Sequence, residues 1–353
     1  MIFRQLFDSK SSTYTYLLGC ETSREAIIID TVFEQHARDS ALINELGLKV
    51  KYCLDTHVHA DHVTGAWLMK QAFGAQIAIS AAAGVAQVDL ELSDGDVLAF
   101  GDSSITAWST PGHTDGCMTF VTNNRLTAFT GDCLLIRAAG RTDFQAGDVN
   151  TMWHSIKDKI FSLPDDCLIY PGHDYMGRTV STVQEEKKHN PRIGGEAREE
   201  DFAGYMENMN LPHPAQLEIA LPANMRSGKP EDEDDVGTDW GPVNLTFAGI
   251  PEIEPDWVAR NRDAVTIVDV RSNAEFNGDL GHLEGSLLIP LSELRERIDE
   301  VPDNKPVVAI CQSGKRSAMA TQILKSAGRA AVANIPGGII HWSRLALPGI
   351  INE

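Results

Sequence analysis

The densest chemistry in the sequence is Thr56-His57-Val58-His59-Ala60-Asp61-His62, directly after an apolar run that reads as a strand. Three shorter strings carry the same residue types beside apolar runs: Pro111-Gly112-His113, Gly131-Asp132 and Pro171-Gly172-His173. Five of the eleven histidines fall in these places. Neutral imidazole nitrogens and carboxylate oxygens fixed at strand ends are the donors a metal site needs. Any single one could instead cap a turn or sit satisfied in a core; the set together points to metal. A second centre is Cys311-Gln312-Ser313-Gly314-Lys315-Arg316-Ser317, between the strand-like run Val307–Ile310 and a helical pattern. Inward backbone N–H groups and a helix N-terminus lower a thiol pKa, and Lys315 and Arg316 add charge for an anionic donor. That setting suits a cysteine persulfide, against the plainer reading of Cys311 as an inert core thiol. Cys133, next to Asp132, reads as strand packing.

The elements that must position these residues follow from hydrophobic periodicity. Residues 26–30 and 50–55 read as strands around a helical pattern at 34–46 that stops at Gly47. Between 93 and 135, short apolar runs separated by Asp94-Gly95, Gly101-Asp102 and Asn123-Asn124 indicate hairpins. Helical patterns return at 151–161 and 179–188. Residues 228–256 then hold nine acids, one base and four prolines, the composition of a solvated linker. After it, strands are expected at 265–270, 307–310 and 331–335 and helices at 291–300 and 316–327, a small parallel α/β arrangement. The domains are therefore expected at 1–228 and 255–353, with an acidic linker at 229–254.

The histidine string is an unbroken H-x-H-x-D-H signature, and the chain resembles the metallo-β-lactamase superfamily there. The resemblance implies an α/β fold in which two β-sheets form an αββα sandwich with metal at one rim. His57, His59, Asp61, His62, His113, Asp132 and His173 match the set that serves two-metal hydrolases of that superfamily, in which Asp132 would bridge the ions. The longer strings from Leu134 to Gln145, His173-Asp174-Tyr175 with Thr179 to Val183 after it, Asn190-Pro191-Arg192, and from Leu221 to Arg226 are similar to the persulfide dioxygenases. That likeness implies one Fe(II) per chain held by His57, His113 and Asp132. His59, Asp61, His62 and His173 would then support the metal residues or relay protons. A face of two histidines and one carboxylate leaves three positions open, enough for a sulfur substrate and O2. Arg141, Tyr175 and Arg192 match positions that hold glutathione in that family, and two guanidiniums and a phenol suit its two carboxylates. A structural ion pair from Arg141 to Asp143 is the alternative.

Around the cysteine loop, Val268-Asp269-Val270-Arg271, Glu275-Phe276, the run from Gly281 to Ser286 and Ile289-Pro290 resemble the rhodanese homology domain. This implies a sulfurtransferase acting through Cys311, with Gln312, Ser313, Gly314, Lys315 and Arg316 as its anion loop. Gln312 replaces the arginine that commonly follows the cysteine.

The two resemblances together imply a bifunctional enzyme. Glutathione persulfide, O2 and water would give sulfite and glutathione, and sulfane sulfur would pass between thiosulfate and glutathione. The competing reading is a glyoxalase-type two-metal thioester hydrolase carrying a non-catalytic rhodanese-like module. The chain of 353 residues has 50 acids against 30 bases, a charge of -20, which argues against nucleic acid as a partner. No apolar run is long enough for a spanning helix, so no membrane partner is expected. Six scattered cysteines without a disulfide pattern point to the reducing cytoplasm. The reading leaves room for a homodimer.

Overall fold

The computed structural model describes residues 1–230 and 240–352. The acidic run 231–239, the centre of the expected linker, lies outside the described residues. Two compact units form, one holding Met1–His36 and the chain from Leu46, the other holding Ala37–Glu45 and the chain from Trp240.

The first unit contains two six-stranded sheets. Strands β1 (Ile2–Phe7), β2 (Tyr14–Gly19), β3 (Glu25–Ile29), β4 (Lys49–Leu54), β5 (Gln76–Ser80) and β6 (Leu90–Leu92) lie side by side in chain order. The first three are antiparallel; β3 to β6 run parallel, with α2 (Ala66–Phe73) in the connection after β4, while α1 (His36–Glu45), in the connection after β3, is counted from Ala37 onward with the second unit. The second sheet has the order β12-β11-β10-β9-β8-β7 and comprises β7 (Val97–Phe100), β8 (Ser103–Ser109), β9 (Met118–Thr122), β10 (Thr127–Gly131), β11 (Leu168–Pro171) and β12 (Ser181–Thr182).

Strand alternation divides the central strands of the second sheet, β8 to β11, between two cores. Phe120 and Phe129 point into a core shared with Tyr16, Leu18, Ile27 and Leu54 of the first sheet. Their neighbours Val121 and Ala128 join Met152, Val183, Phe202 and Met206. Those four come from the helices α3 (Val149–His154), α4 (Val183–His189) and α5 (Glu199–Glu207). A further helix, α6 (Leu217–Asn224), closes the unit.

The second unit has a sheet in the order β13-β14-β19-β18-β15-β17. It comprises β13 (Asn244–Leu245), β14 (Pro251–Glu252), β15 (Thr266–Asp269), β17 (Leu287–Leu288), β18 (Val307–Ile310) and β19 (Val332–Asn334), with β16 (His282–Leu283) pairing β20 (Ile350–Ile351) apart from it. From β14 to β17 all neighbours are parallel. Its helices are α7 (Pro255–Arg260), α8 (Asn273–Phe276), α9 (Lys315–Ser326) and α10 (Gly338–Arg344). Ordered pairing thus starts at Asn244, inside the stretch expected as linker.

Three expected helices differ. Residues 291–300 form successive tight turns ending in the 3-10 turn Ile298–Glu300, because the N–H groups of Glu293, Glu296 and Glu300 bond three residues back. Within 179–188 the β-branched run stays extended until Thr182, whose hydroxyl caps α4 by accepting the Glu185 N–H. The helix at 151–161 starts earlier, at Val149 behind the Asp148 cap, and changes after His154 into a π-turn and a 3-10 turn.

Candidate functional site

The metal-type residues converge at one rim of the first unit, on loops that leave β4, β8, β10 and β11. His57, His113 and Asp132 form one group, whose ligand-type atoms all lie within 4.8 Å of one another. His59, Asp61, His62 and His173 form a second group within the same limit, and His59 also groups with Asp30 and Asp55.

Hydrogen bonds fix the donors of the first group. His113 Nδ1 lies 2.6 Å from the Arg141 carbonyl, which only accepts, so the proton is on Nδ1 and Nε2 is free, 3.7 Å from Asp132 Oδ2. Gly140 makes this approach possible: a Cβ there would lie 2.3 Å from the Asp132 carbonyl and 3.0 Å from His113 Nδ1. His57 Nδ1 is 3.0 Å from the Thr56 hydroxyl, and the two rings stand edge to face. Burial pushes the pKa values of both imidazoles down, with the neighbouring His59 adding to the effect at His57. Burial works against ionisation of Asp132, but the charge of His173 and its hydrogen bond outweigh it and hold the carboxyl well below its usual range. Two neutral imidazoles and an ionised carboxylate are the protonation states that divalent-metal binding requires. This donor set therefore fits a metal ion.

His173 lies between two acids. Its Nδ1 is 2.7 Å from Asp132 Oδ1 and its Nε2 3.0 Å from Asp61 Oδ2. Burial would neutralise the ring, yet these two carboxylates raise its pKa well above the usual histidine value. Asp61 also meets His62 Nδ1 at 3.0 Å, and the Thr13 hydroxyl reaches Asp61, His62 and His173. The buried Asn224 on α6 donates to the His59 and His62 carbonyls and accepts the Thr64 N–H, clamping the histidine loop.

A cavity of about 940 Å³ opens onto this rim. Arg141, Tyr175 and Arg192 all line it, but differently. Arg141 gives Nε and one terminal nitrogen to the Asp143 carboxylate at 2.6 and 2.7 Å, and also bonds the Leu211 and Pro212 carbonyls. The ion pair weighed as its alternative is thus formed. Arg192 donates to the Ala139 carbonyl and lies over the Tyr205 ring, with no carboxylate partner among the described residues. Tyr175 is 70% exposed, its ring parallel to that of His173 at 6.1 Å.

In the second unit Cys311 follows β18 and is fully buried. Burial raises its thiol pKa, but the Ser317 hydroxyl at 3.3 Å and backbone N–H groups of Ser317, Ser313 and Gly314 outweigh this and bring it below the usual value. α10 packs close behind: a Cβ on Gly338 would lie 2.2 Å from the Cys311 carbonyl. Gln312, Ser313 and Lys315 are exposed, and Gly314 is buried. Arg316 is paired bidentately with Glu275. Sequence reasoning missed Glu275 as that partner, along with Thr13 and Asp30; their contacts are long-range and leave no local pattern. All six cysteines are free.

Comparisons with known proteins agree with this architecture. Residues 9–173 match the metallo-beta-lactamase superfamily and residues 254–345 the rhodanese-like domain. The mitochondrial persulfide dioxygenase ETHE1 of Mus musculus is 53% identical over 229 residues, 65% of this chain and 89% of that protein; the Homo sapiens protein is 52% identical over the same shares. The crystal structure of ETHE1 from Myxococcus xanthus superimposes with a TM-score of 0.63 at 45% identity, covering 65% of this chain and all of the other. A metallo-beta-lactamase from Staphylococcus aureus shares the fold at 22% identity, with a TM-score of 0.61 over 95% of this chain. The class is a metallo-β-lactamase-fold enzyme followed by a rhodanese-like domain. Within it, the chain belongs to the persulfide dioxygenase family. No described helix is long and apolar enough to cross a membrane.

Proposed function

We propose that the first unit is a mononuclear Fe(II) dioxygenase of glutathione persulfide, and that the second is a sulfurtransferase working through a Cys311 persulfide. The observation that carries the mononuclear reading is the grouping of His57, His113 and Asp132, whose ligand-type atoms come together without His59. In the reaction GSSH + O2 + H2O → GSH + H2SO3, the terminal sulfur loses four electrons and O2 accepts them. Iron at the three-residue face would supply open coordination positions and the redox exchange that O2 requires. The chain's own residues do the rest. Arg192 and Tyr175 are placed to hold a tripeptide carboxylate, and Arg141, braced by Asp143, presents at most one remaining N–H. His173 keeps its protons on Asp132 and Asp61, so Asp132 stays ionised and oriented. Asp61 and His62 border the cavity, and the unpartnered His62 Nε2 can take up a proton released with sulfite.

In the second unit, a Cys311 thiolate attacks the outer sulfur of thiosulfate and releases sulfite, leaving Cys311–S–S⁻. A glutathione thiolate then removes that sulfur and regenerates Cys311. Six free cysteines suit a reducing compartment such as the cytoplasm.

The second group, His59, Asp61, His62 and His173, keeps open a two-metal thioester hydrolase, since buried His59 Nδ1 and His62 Nε2 have no hydrogen-bond partner. Metal analysis with O2 uptake on glutathione persulfide, set against S-lactoylglutathione hydrolysis, separates the two. One iron per chain with stoichiometric O2 uptake supports the dioxygenase; two zinc ions with thioester cleavage overturn it.

A further inference from the structure

Asp30 follows β3 and is 1% exposed. Its backbone occupies the left-handed region at φ 53°, a conformation costly for a residue with a Cβ and held only where the surroundings fix it. The Asp30 N–H bonds the Leu54 carbonyl, and its own carbonyl accepts from Thr15. The carboxylate collects three contacts. Oδ1 accepts the Thr56 N–H at 2.7 Å and meets His59 Nε2 at 3.2 Å, while Oδ2 accepts the Thr56 hydroxyl at 2.9 Å. The Thr56 hydroxyl in turn lies 3.0 Å from His57 Nδ1.

Proton counting decides the directions. A hydroxyl has one proton, and a carboxylate can only accept. The Thr56 proton goes to Asp30, so its oxygen must accept from His57, which therefore carries its proton on Nδ1 and keeps the Nε2 lone pair. By the same count His59 donates from Nε2, which ties that ring to Asp30. Its Nδ1 finds no partner.

We infer that Asp30 is the positioning residue that sets the ring tautomers beside the metal centre: through Thr56 it presents His57 by Nε2, and by accepting from His59 Nε2 it fixes that ring with its proton on Nε2. The inference rests on the reading of His57, His113 and Asp132 as the metal-holding group. An asparagine at 30 would reverse the relay. Its oxygen can serve Thr56 N–H and His59, but its NH2 would donate to the Thr56 hydroxyl. The Thr56 proton would then turn to His57 and leave Nε2 protonated, unable to bind metal.

The test uses the full-length chain. Nitrogen-15 spectra of the imidazoles in wild-type protein before metal loading report each tautomer directly. They should show His57 protonated on Nδ1 and His59 on Nε2; a proton on His57 Nε2 overturns the inference without any variant. Fe(II) titration then compares Thr56→Val, Thr56→Ser and Asp30→Asn with wild type. Loss of such an outer hydrogen bond weakens metal binding by about 10- to 100-fold, so that is expected for Thr56→Val and Asp30→Asn. Thr56→Ser keeps the hydroxyl and should stay within about threefold of wild type. Equal affinity in Thr56→Val and wild type overturns the inference and leaves the mononuclear reading intact. Two metals per wild-type chain with His59 as a ligand through Nδ1 overturn the mononuclear reading and leave the Asp30 inference standing, and this appears before any variant is made.

Discussion

Arg316 donates from its two terminal nitrogens to the two carboxylate oxygens of Glu275, at 2.8 and 2.6 Å. Glu275 is itself held by the Ser272 capping box at the start of α8. The loop cation most readily credited with attracting an anionic donor therefore has its charge matched, while Lys315 beside it is exposed. Arg316 serves as a brace for the cysteine loop.

The brace is pH-dependent in a defined direction. The Arg316 hydrogen bonds bring the Glu275 pKa down to about 2, against modest desolvation. A lowered carboxylate contributes stability that is present above its ordinary value of about 4.5 and fades as pH falls through about 2. Both side chains are 34% exposed, so solvent screening keeps the pair to about 0.5–1 kcal/mol. Urea unfolding should show Glu275→Gln less stable than wild type by that amount at pH 6, and the difference should vanish near pH 2. A constant difference across this range would assign the loss to the capping box.

Ser317 is the side-chain donor to the sulfur, so Ser317→Ala should raise the Cys311 thiol pKa toward the usual value near 9. Hydrogen bonds to charged groups contribute about 1.5–3 kcal/mol, roughly ten- to a hundredfold in thiolate population at neutral pH. Alkylation of Cys311 by iodoacetamide, followed from pH 5 to 10, measures this. The wild-type rate should rise through a midpoint below that of the variant, and coincident midpoints would remove Ser317 from the account.

Contiguity decided what could be read from sequence. His57, His59, Asp61 and His62 sit in one short string after one strand, and Cys311 to Ser317 in one strand–loop–helix corner, so their chemistry shows locally. The short apolar runs between 93 and 135, split by turn residues, likewise show locally as strands. The supporting groups are remote: Asp30 is 26 residues from Thr56, Glu275 is 41 from Arg316, and Thr13 is 160 from His173. No periodicity links such pairs; only the fold brings them together. Arg141 fails differently, since its ion pair with Asp143 is local and legible, but sequence could not decide between that partner and a ligand.

The unequal partners of the two cavity arginines predict unequal effects. Arg192 has no carboxylate among the described residues, so Arg192→Ala should raise the apparent KM for glutathione persulfide about ten- to a hundredfold, the value of one charge-assisted contact. Arg141 is committed to Asp143 and two carbonyls, and Arg141→Ala should act mainly by loosening the segment around Leu211 and Pro212. Steady-state O2 uptake together with local hydrogen exchange checks both. If Arg141→Ala has the larger KM effect and exchange near Leu211 is unchanged, the assignments must be exchanged.

The two centres should be separable by single substitutions. Asp132→Ala removes the carboxylate of the three-residue group and should abolish metal content and O2 uptake together, leaving thiosulfate sulfurtransfer. Cys311→Ser replaces the nucleophile by a hydroxyl and should abolish sulfurtransfer while O2 uptake on glutathione persulfide remains. Metal analysis and both assays on both variants form the test. Sulfurtransfer persisting in Cys311→Ser would place the nucleophile elsewhere.

With both centres intact, the two proposed reactions would add to a single net process. Thiosulfate and glutathione would give glutathione persulfide and sulfite at Cys311, and oxidation of that persulfide would return glutathione with a second sulfite. The sum is S2O3²⁻ + O2 + H2O → 2 SO3²⁻ + 2 H⁺, with glutathione as carrier. The first step is expected to run uphill, and an irreversible oxidation that removes its product pulls it forward. Holding both centres on one chain raises the effective concentration of each at the other. Wild-type protein given thiosulfate, catalytic glutathione and O2 should consume oxygen and form two sulfites per O2. At nanomolar concentration it should outpace an equimolar mixture of the Asp132→Ala and Cys311→Ser chains, which supplies each centre once but on separate molecules. Equal rates would mean that the shared chain contributes nothing to coupling. No oxygen uptake from thiosulfate in the wild type would mean that Cys311 works in the opposite direction, passing sulfur from a persulfide to sulfite.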